Sequence, residues 1–423
     1  MSRQLPARTG RVCYRLRTNT EISPFEEPAR EMLVGHQVLE ARQAEAARLA
    51  GLGEIIDVEP GQLLERPGLL FPDDMFLSRH TLAALLEEGQ GSRVLCLPSA
   101  SAFVRTTHAL QGSPEEEVSG EAARLYDVFG VEAGTRLVEG TRDDVVGALR
   151  EGAARVVVDP SERVFPIPML EHYFGSEVFE IVFALRPAMR LRHWMHVMWA
   201  NQATIGLRWR EIGRPLISLW GLVGALRTLS LNFSRILGKM NSIGAGCHIH
   251  PTAVIEASVL GPKCFIGPHA RIQFSNLGEG VAVQGGGQAL FSVVGDGSLI
   301  SQNCAVNFCT LFPQASASHS VYQFSLFGRR AITVQGSYLL DTHFTHDVKV
   351  LLEGKLVESG QRFLGVALGH RVKLGAGLWI PAGREVPNDY FIVHPPGDTA
   401  ARIPRDLPRG VPLVVRDGRL EPL

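Results

Sequence analysis

Five aliphatic residues return at intervals of six, Leu368, Leu374, Ile380, Val386 and Ile392, and this spacing constrains the fold more than any other feature of the chain. The same phase runs earlier through Ile243, Ile249 and Ile255, then after a five-residue step through Leu260, Ile266 and Ile272, and again through Val294, Ile300, Val306 and Phe312. A period of six fits neither the 3.6 of a helix nor the alternation of a plain strand. Short strands turned at every sixth residue satisfy it, and three of them close a triangular coil whose aliphatic positions stack from one turn to the next. From Leu368 one turn reaches Val386, and from Ile249, across the shorter step, it reaches Ile266.

The fifth hexad position should also face inward and be small, and it reads Cys247, Ala253, Val259, Cys264 and Ala270 in the first block. Gly244, Gly261, Gly267, Gly295, Gly369 and Gly375 occupy second positions, where a sharp corner excludes a side chain. Two stretches keep the phase poorly, 283 to 293 and 313 to 347, and are expected either to leave the coil or to form atypical turns of it. Function usually sits in such departures.

With IGAGCHIHPTAVIE, VLGPKCFIGPHA and ALGHRVKLGAGLWIPAGREVPNDYFIV in this phase, the C-terminal third resembles the left-handed parallel β-helix of the hexapeptide-repeat transferases. The resemblance implies a homotrimer, an acyl-CoA or acyl-carrier thioester as donor, and a loop at Glu353 to Gly360 that reaches a neighbouring subunit. The same coil also carries pyrophosphorylase arms, zinc carbonic anhydrases and non-catalytic subunits, so the fold leaves the activity open.

The N-terminal half alternates apolar runs at 11–16, 54–58, 68–72, 93–98 and 155–160 with helical stretches at Ala29 to Gly51 and from Ser78 to Glu88, the pattern of an α/β domain with a largely parallel sheet. PFEEPAREMLVGHQVLEARQAEAARLAGLGEIIDV followed by GLLFPDDMFLSRHTLAALLEE resembles the front half of a sugar-phosphate nucleotidyltransferase, a Rossmann-type domain. The Gly-rich phosphate loop of that family is replaced by RLRTNTEIS, which has no glycine, so the domain reads as degenerate. Asp73 and Asp74 are either metal-binding carboxylates or a helix-capping turn.

Four parts follow: 1–164, the degenerate nucleotidyltransferase-like α/β domain; 165–240, a helical connector; 241–400, the β-helix; and 401–423, a tail. The apolar segment 215–234 contains Arg227 and is a poor membrane span, leaving a helix packed between domains or a peripheral contact with a bilayer face.

Acyl transfer needs a base for the acceptor proton and an orienting partner for it. DTHFTHD supplies His343 and His346 between Asp341 and Asp347. His370, with Arg371 and Lys373, is the candidate contact for a coenzyme A phosphate. No metal site is expected: by the stacking arithmetic His269 lies over Thr252, so His248, His250 and His269 form no column within one chain.

The leading expectation is an acyltransferase acting on a sugar or nucleotide-sugar acceptor. The alternatives are a non-catalytic sugar-nucleotide-binding or assembly subunit, and a nucleotidyltransferase with an atypical phosphate loop, the one case that calls for Mg²⁺. Lys+Arg 42 against Asp+Glu 43 recruits no nucleic acid. Of those 42, only Lys239, Lys263, Lys349, Lys355 and Lys373 are lysines. Six scattered cysteines without a C-x-x-C pair, and an N-terminus without a signal-peptide core, point to free thiols and the cytoplasm.

Overall fold

The computed structural model describes residues 11–89, 91–169, 178–228, 237–238, 240–395, 397, 403–404 and 406–423, with the side chains of 212–228 left aside. The apolar runs of the N-terminal half form β1 (Val12–Leu16), β2 (Ile55–Val58), β3 (Gly68–Pro72), β4 (Arg93–Pro98) and β6 (Ala154–Val157). Between the last two lies β5 (Glu121–Val131), whose EAARLYDVFGV lacks the aliphatic run that marks the others. The strands are ordered β6-β4-β5-β3-β1-β2. β1 runs parallel to both β2 and β3, and β4 parallel to β6, whereas β5 runs antiparallel between β3 and β4. The sheet is therefore mixed rather than largely parallel.

Helix α1 (Leu39–Leu49) is shorter than expected, because residues 29–38 form a 3-10 turn and a small hairpin before it. Helix α2 (Arg79–Glu87) begins at Ser78, whose hydroxyl accepts from the Thr81 amide as the sequence indicates. Helix α3 (Ala102–Thr107) is capped by Ser101, and α4 (Arg142–Arg150) by a reciprocal Thr141–Asp144 box. Cores fill both faces of the sheet, one of them continuous with the packing against the coil.

The stretch from 165 is not helical at its start. Strands β7 (Glu162–Pro168) and β8 (Val178–Ala184) pair antiparallel, and β9 (Ala188–Arg190) pairs with Met75–Leu77 of the α/β unit. Helix α5 begins only at Trp194 and runs to Thr228. Alternation in VFEIVFA, missed beside the tryptophans, is the physical signature of this hairpin. No described helix is long and apolar enough to cross a membrane.

From Ser242 to Ile392 two- and three-residue strands stack in parallel ladders on three faces. Leu368 lies over Val386 and Ile249 over Ile266, as the hexad arithmetic requires. Inside run Ile266, Val283, Ile300 and Ala317 on one face and Leu277, Val294, Leu311 and Phe327 on another, all buried. Residues 283 to 293 do not leave the coil: Gln288–Leu290 pairs above and below like its neighbours, and 313 to 333 also stays in register. The phase was lost there because a turn takes 17 residues at Ile300–Ala317 and 16 at Val306–Tyr322 rather than 18. Leu311 consequently fills the interior position, and Phe312 packs outward into the core shared with the α/β unit.

The true departure is the insertion after Leu339. Its hairpin, Lys349–Leu352 with Lys355–Glu358, docks on its own chain, where Val348 and Val350 join the core that contains Trp194 and Arg192 pairs with Glu353. The first coil face is covered by the α/β unit, so even outward-facing Val293, Thr310, Leu326 and Ala367 are buried. Between the units, Asn388 donates to the Phe25 carbonyl (2.9 Å) and Gln202 to that of Phe308 (2.6 Å).

Candidate functional site

Parallel β1 and β3 end side by side, the position at which open α/β sheets form their ligand crevice. Arg17 to Thr20 follow β1, and Asp73 and Asp74 form the tight turn after β3. Both carboxylates are buried, and neither caps a helix, since Ser78 does that. Asp73 Oδ1 accepts from the Thr18 amide (3.1 Å) and hydroxyl (2.5 Å), with Arg30 3.4 Å from Oδ2. Asp74 Oδ2 meets Arg190 Nε (3.0 Å), Arg142 Nε (3.1 Å) and the Thr20 hydroxyl (3.2 Å). Asp127, on β5, accepts from Arg142 (2.7 Å) and from Arg150.

Arginine suits this role because its rigid fork divides donors between carboxylates. Burial lifts the Asp73 carboxyl above its usual range against the hydrogen bonds of Thr18. For Arg142 burial acts the other way, but Asp74 and Asp127 outweigh it and hold the guanidinium firmly charged.

A magnesium ion demands an octahedral set of free oxygens, most of them usually water. Here the oxygens of Asp73 and Asp74 already face guanidinium and hydroxyl groups, so the residues present do not fit that ion. Among the described residues no group of three or more His, Cys, Asp or Glu side chains is arranged to hold a metal. Outside the turn, a cleft of about 370 Å³ opens between Thr20, Ser23, Asp143, Arg192 and the hairpin residues Leu352 and Glu353.

The histidines of DTHFTHD lie at the root of the insertion, where Thr342 bridges to Phe363. Their rings are 4.6 Å apart; His343 is half-buried and His346 exposed. His346 Nδ1 donates to the Asp347 carbonyl (2.7 Å), which leaves Nε2 as the lone-pair nitrogen. Desolvation, the second imidazole and Arg384 all lower the His343 pKa, so this ring stays neutral. Among the described residues the flanking carboxylates of Asp341 and Asp347 hydrogen-bond to neither ring, and Asp347 contributes its carbonyl instead. Burial lifts the Asp341 carboxyl.

His370 is 4% exposed and faces the α/β unit rather than solvent. Its Nδ1 accepts from the Arg329 amide (2.9 Å), so Nε2 donates to Glu27 (3.2 Å). Burial acts to raise the Glu27 pKa, but His370 and Arg329 lower it overall. Arg371 is paired with Asp389 (2.5 and 2.6 Å), and the Lys373 ammonium lies 5.8 Å from the Phe391 ring centre. The three residues thus do not converge on one phosphate-sized site. In the first coils His269 donates its amide to Thr252, the stacking expected from the arithmetic, and His248 stacks on Phe265.

Two buried histidines escape sequence reasoning. His193 Nε2 donates to the Leu351 carbonyl (3.2 Å) and His196 Nε2 to that of Ala109 (2.8 Å), and burial pushes their pKa values down to about 4 and about 3. Also missed is a phenylalanine column, Phe274, Phe291, Phe308 and Phe324, with centroid spacings of 4.8, 5.2 and 4.9 Å and nearly parallel planes. The repeated QF, LF, NF and QF at one corner of successive turns carries that signal.

No protein-family model matches the chain. No curated protein matches it either. Among solved structures it is similar to a hexapeptide transferase family protein from Anaplasma phagocytophilum, with 16% identity over 34% of this chain and 72% of that one and a TM-score of 0.16. The fold rests on the chain's own ladders: stacked parallel strands of a β-helix in the C-terminal region, joined to a mixed-sheet α/β unit.

Proposed function

We propose that the protein transfers an acyl group from a coenzyme A or carrier thioester to a hydroxyl or amine of a sugar or nucleotide sugar, with His346 as general base. The observation that carries this reading is the tautomer of His346: the Asp347 carbonyl fixes the proton on Nδ1 and leaves Nε2 free in solvent. In the reaction Nε2 takes the acceptor proton as the acceptor attacks the thioester carbon. Collapse of the tetrahedral adduct breaks the carbon–sulfur bond, and the departing thiolate recovers the proton. His343, neutral and 4.6 Å away, avoids placing a second positive charge beside the imidazolium.

Exposed Phe265, Ile332, Trp379 and Phe391 on faces that the α/β unit leaves uncovered support a homotrimer. Lys373 lies on one of those faces, and we assign it the contact with a donor phosphate. A second reading, a non-catalytic sugar-nucleotide-binding subunit, is favoured by the cleft beside Thr20 and Arg192. The nucleotidyltransferase alternative finds no support in the arginine-bound Asp73 and Asp74. Six unpaired thiols support cytoplasmic residence. The proposed bilayer contact, 215–234, ends outside the described residues, and the side chains of its described part are left aside.

The test is thiol release from acyl thioesters in the presence of sugar acceptors. His346→Ala should lower it by about 10²–10⁴-fold, the usual worth of a general base, and His343→Ala by less, with melting temperatures unchanged. Full activity in both variants overturns the assignment. A sugar nucleotide bound without turnover favours the second reading.

A further inference from the structure

Cys247 and Cys264 occupy the same corner of the coil, one turn apart. His248–Ile249 pairs with Phe265–Ile266 in parallel register, so the residues just before each strand, Cys247 and Cys264, stack as well. Both thiols donate to one acceptor, the Gly261 carbonyl, at 3.2 and 3.3 Å, and Cys264 also reaches the Gly278 carbonyl (3.1 Å). A shared acceptor draws the two sulfurs together. The other thiols of the coil have no such neighbour: by the same registers Cys304 stacks between Gly287 and Ser320, and Cys309 between Ser292 and Ser325.

Neighbouring parallel strands run about 4.8 Å apart, within the ~4.4–6.8 Å between α-carbons that a disulfide spans. Its β-carbons must close to about 3.8 Å, and the first turn is free to make that shift. Ser242–Ile243, His248–Ile249 and Val254–Glu256 are the terminal strands of the three ladders, each paired on one side only among the described residues. The two thiols also differ in access. Cys264 is 1% exposed, and burial, with Cys247 adding to it, holds its thiol at about 11. Cys247 is half-buried. An oxidant in solution therefore meets Cys247 first and finds Cys264 beside it as the resolving thiol.

We infer that Cys247 and Cys264 form a reversible disulfide when the protein meets hydrogen peroxide, a bond that staples the first turn of the coil to the second. The Cys247 sulfur attacks one peroxide oxygen, the O–O bond breaks, and water leaves a sulfenic acid behind. The Cys264 sulfur then attacks that sulfur, the S–O bond breaks, and a second water carries off the oxygen with the remaining thiol proton. Two thiols lose two electrons and one peroxide becomes two waters. Closing the loop between these positions restrains the unfolded chain and so stabilises the open end of the coil. The assignment stands apart from the transfer reading, no step of which uses either cysteine.

The experiment treats the full-length protein with hydrogen peroxide, blocks the remaining thiols in denaturant, and weighs the tryptic peptides. Cleavage after Lys239, Lys263 and Arg271 parts the two cysteines, so the bond should appear as Met240–Lys263 joined to Cys264–Arg271, two hydrogens lighter than their sum and separated by dithiothreitol. Cys13, Cys96, Cys304 and Cys309 should still take the blocking reagent. Oxidation should raise the melting temperature by a few degrees, and reduction should reverse the rise. Cys264→Ser should halt at the sulfenic acid, captured on Cys247 by dimedone, and the wild-type peptide map decides the matter if that variant does not fold. Cys247 recovered unmodified, joined to a second copy of the chain, or carried to sulfinic acid while Cys264 stays free overturns the assignment.

Discussion

Arg142 and Asp74 meet through two contacts, Nε to Oδ2 at 3.1 Å and Nη2 to Oδ1 at 3.3 Å, although 68 residues separate them and Asp74 has no exposed surface. The same guanidinium reaches Asp127, so one side chain neutralises a carboxylate of the turn after β3 and another within β5.

Removing that guanidinium leaves two buried carboxylates short of a partner. Arg142→Met should destabilise the α/β unit by about 3–5 kcal/mol, the cost of breaking a buried ion pair from one side. Urea unfolding measures it. Because Asp73 and Asp74 are ligands of arginine rather than of a metal, millimolar Mg²⁺ should neither restore the variant nor shift the wild-type midpoint.

How far the sequence discloses this molecule depends on whether its signal is periodic. Leu368 over Val386 is legible because every hexad repeats the same demand, and the strands at 12–16, 68–72 and 93–98 because buried parallel strands read as apolar runs. β5 is obscured by Glu121, Arg124 and Asp127, of which Asp127 is satisfied by Arg142 and Arg150, residues distant in sequence. The turns around Ala289 and Ala317 read as irregular because steps of five interrupt the six, while the ladder tolerates them by shortening one corner. DTHFTHD stands out as a cluster, but nothing local shows that the carbonyl of Asp347, not a carboxylate, would hold His346.

Close stacking of corners gives a second expectation. A Cβ on Gly328 would lie 2.5 Å from the Gly369 carbonyl carbon, and one on Gly261 equally close to Gly278. Backbone cannot yield as a side chain can, so Gly328→Ala and Gly261→Ala should each cost about 1–3 kcal/mol. Gly280→Ala gives a control of the other kind: no atom crowds its Cβ, and only its positive φ opposes the change. Thermal melts of the three variants separate crowding from backbone strain.

His193 and His196 make the fold acid-sensitive. Their folded pKa values of about 4 and about 3 lie below the unfolded value near 6.5, so the unfolded chain takes up protons first as the pH falls. Stability is full above about pH 6.5, declines as pH falls towards 4 and then 3, and levels off below, with a total loss on the order of 8 kcal/mol. Melting temperature followed from pH 7 to 5 should drop, and His193→Gln/His196→Gln should flatten the slope. Two imidazole proton resonances that stay untitrated down to pH 5 would provide the direct check.

The cysteines test whether the coil interior is as closed as its ladders imply. Burial raises the thiols of Cys264 and Cys304 to about 11 and that of Cys309 to about 12, and likewise those of Cys96 and Cys13 in the α/β unit to about 11 and about 12. Thiolate is the reactive form, so at pH 8 all five should resist a thiol reagent in the native state. Cys247, half-buried in the first turn of the coil, has fewer layers over it and should react first. Labelling followed by mass spectrometry should therefore show one modified cysteine before unfolding and six after it. Early labelling of Cys304 or Cys309 would mean that the middle turns open on their own, against the continuous stack from Leu260 to Val386.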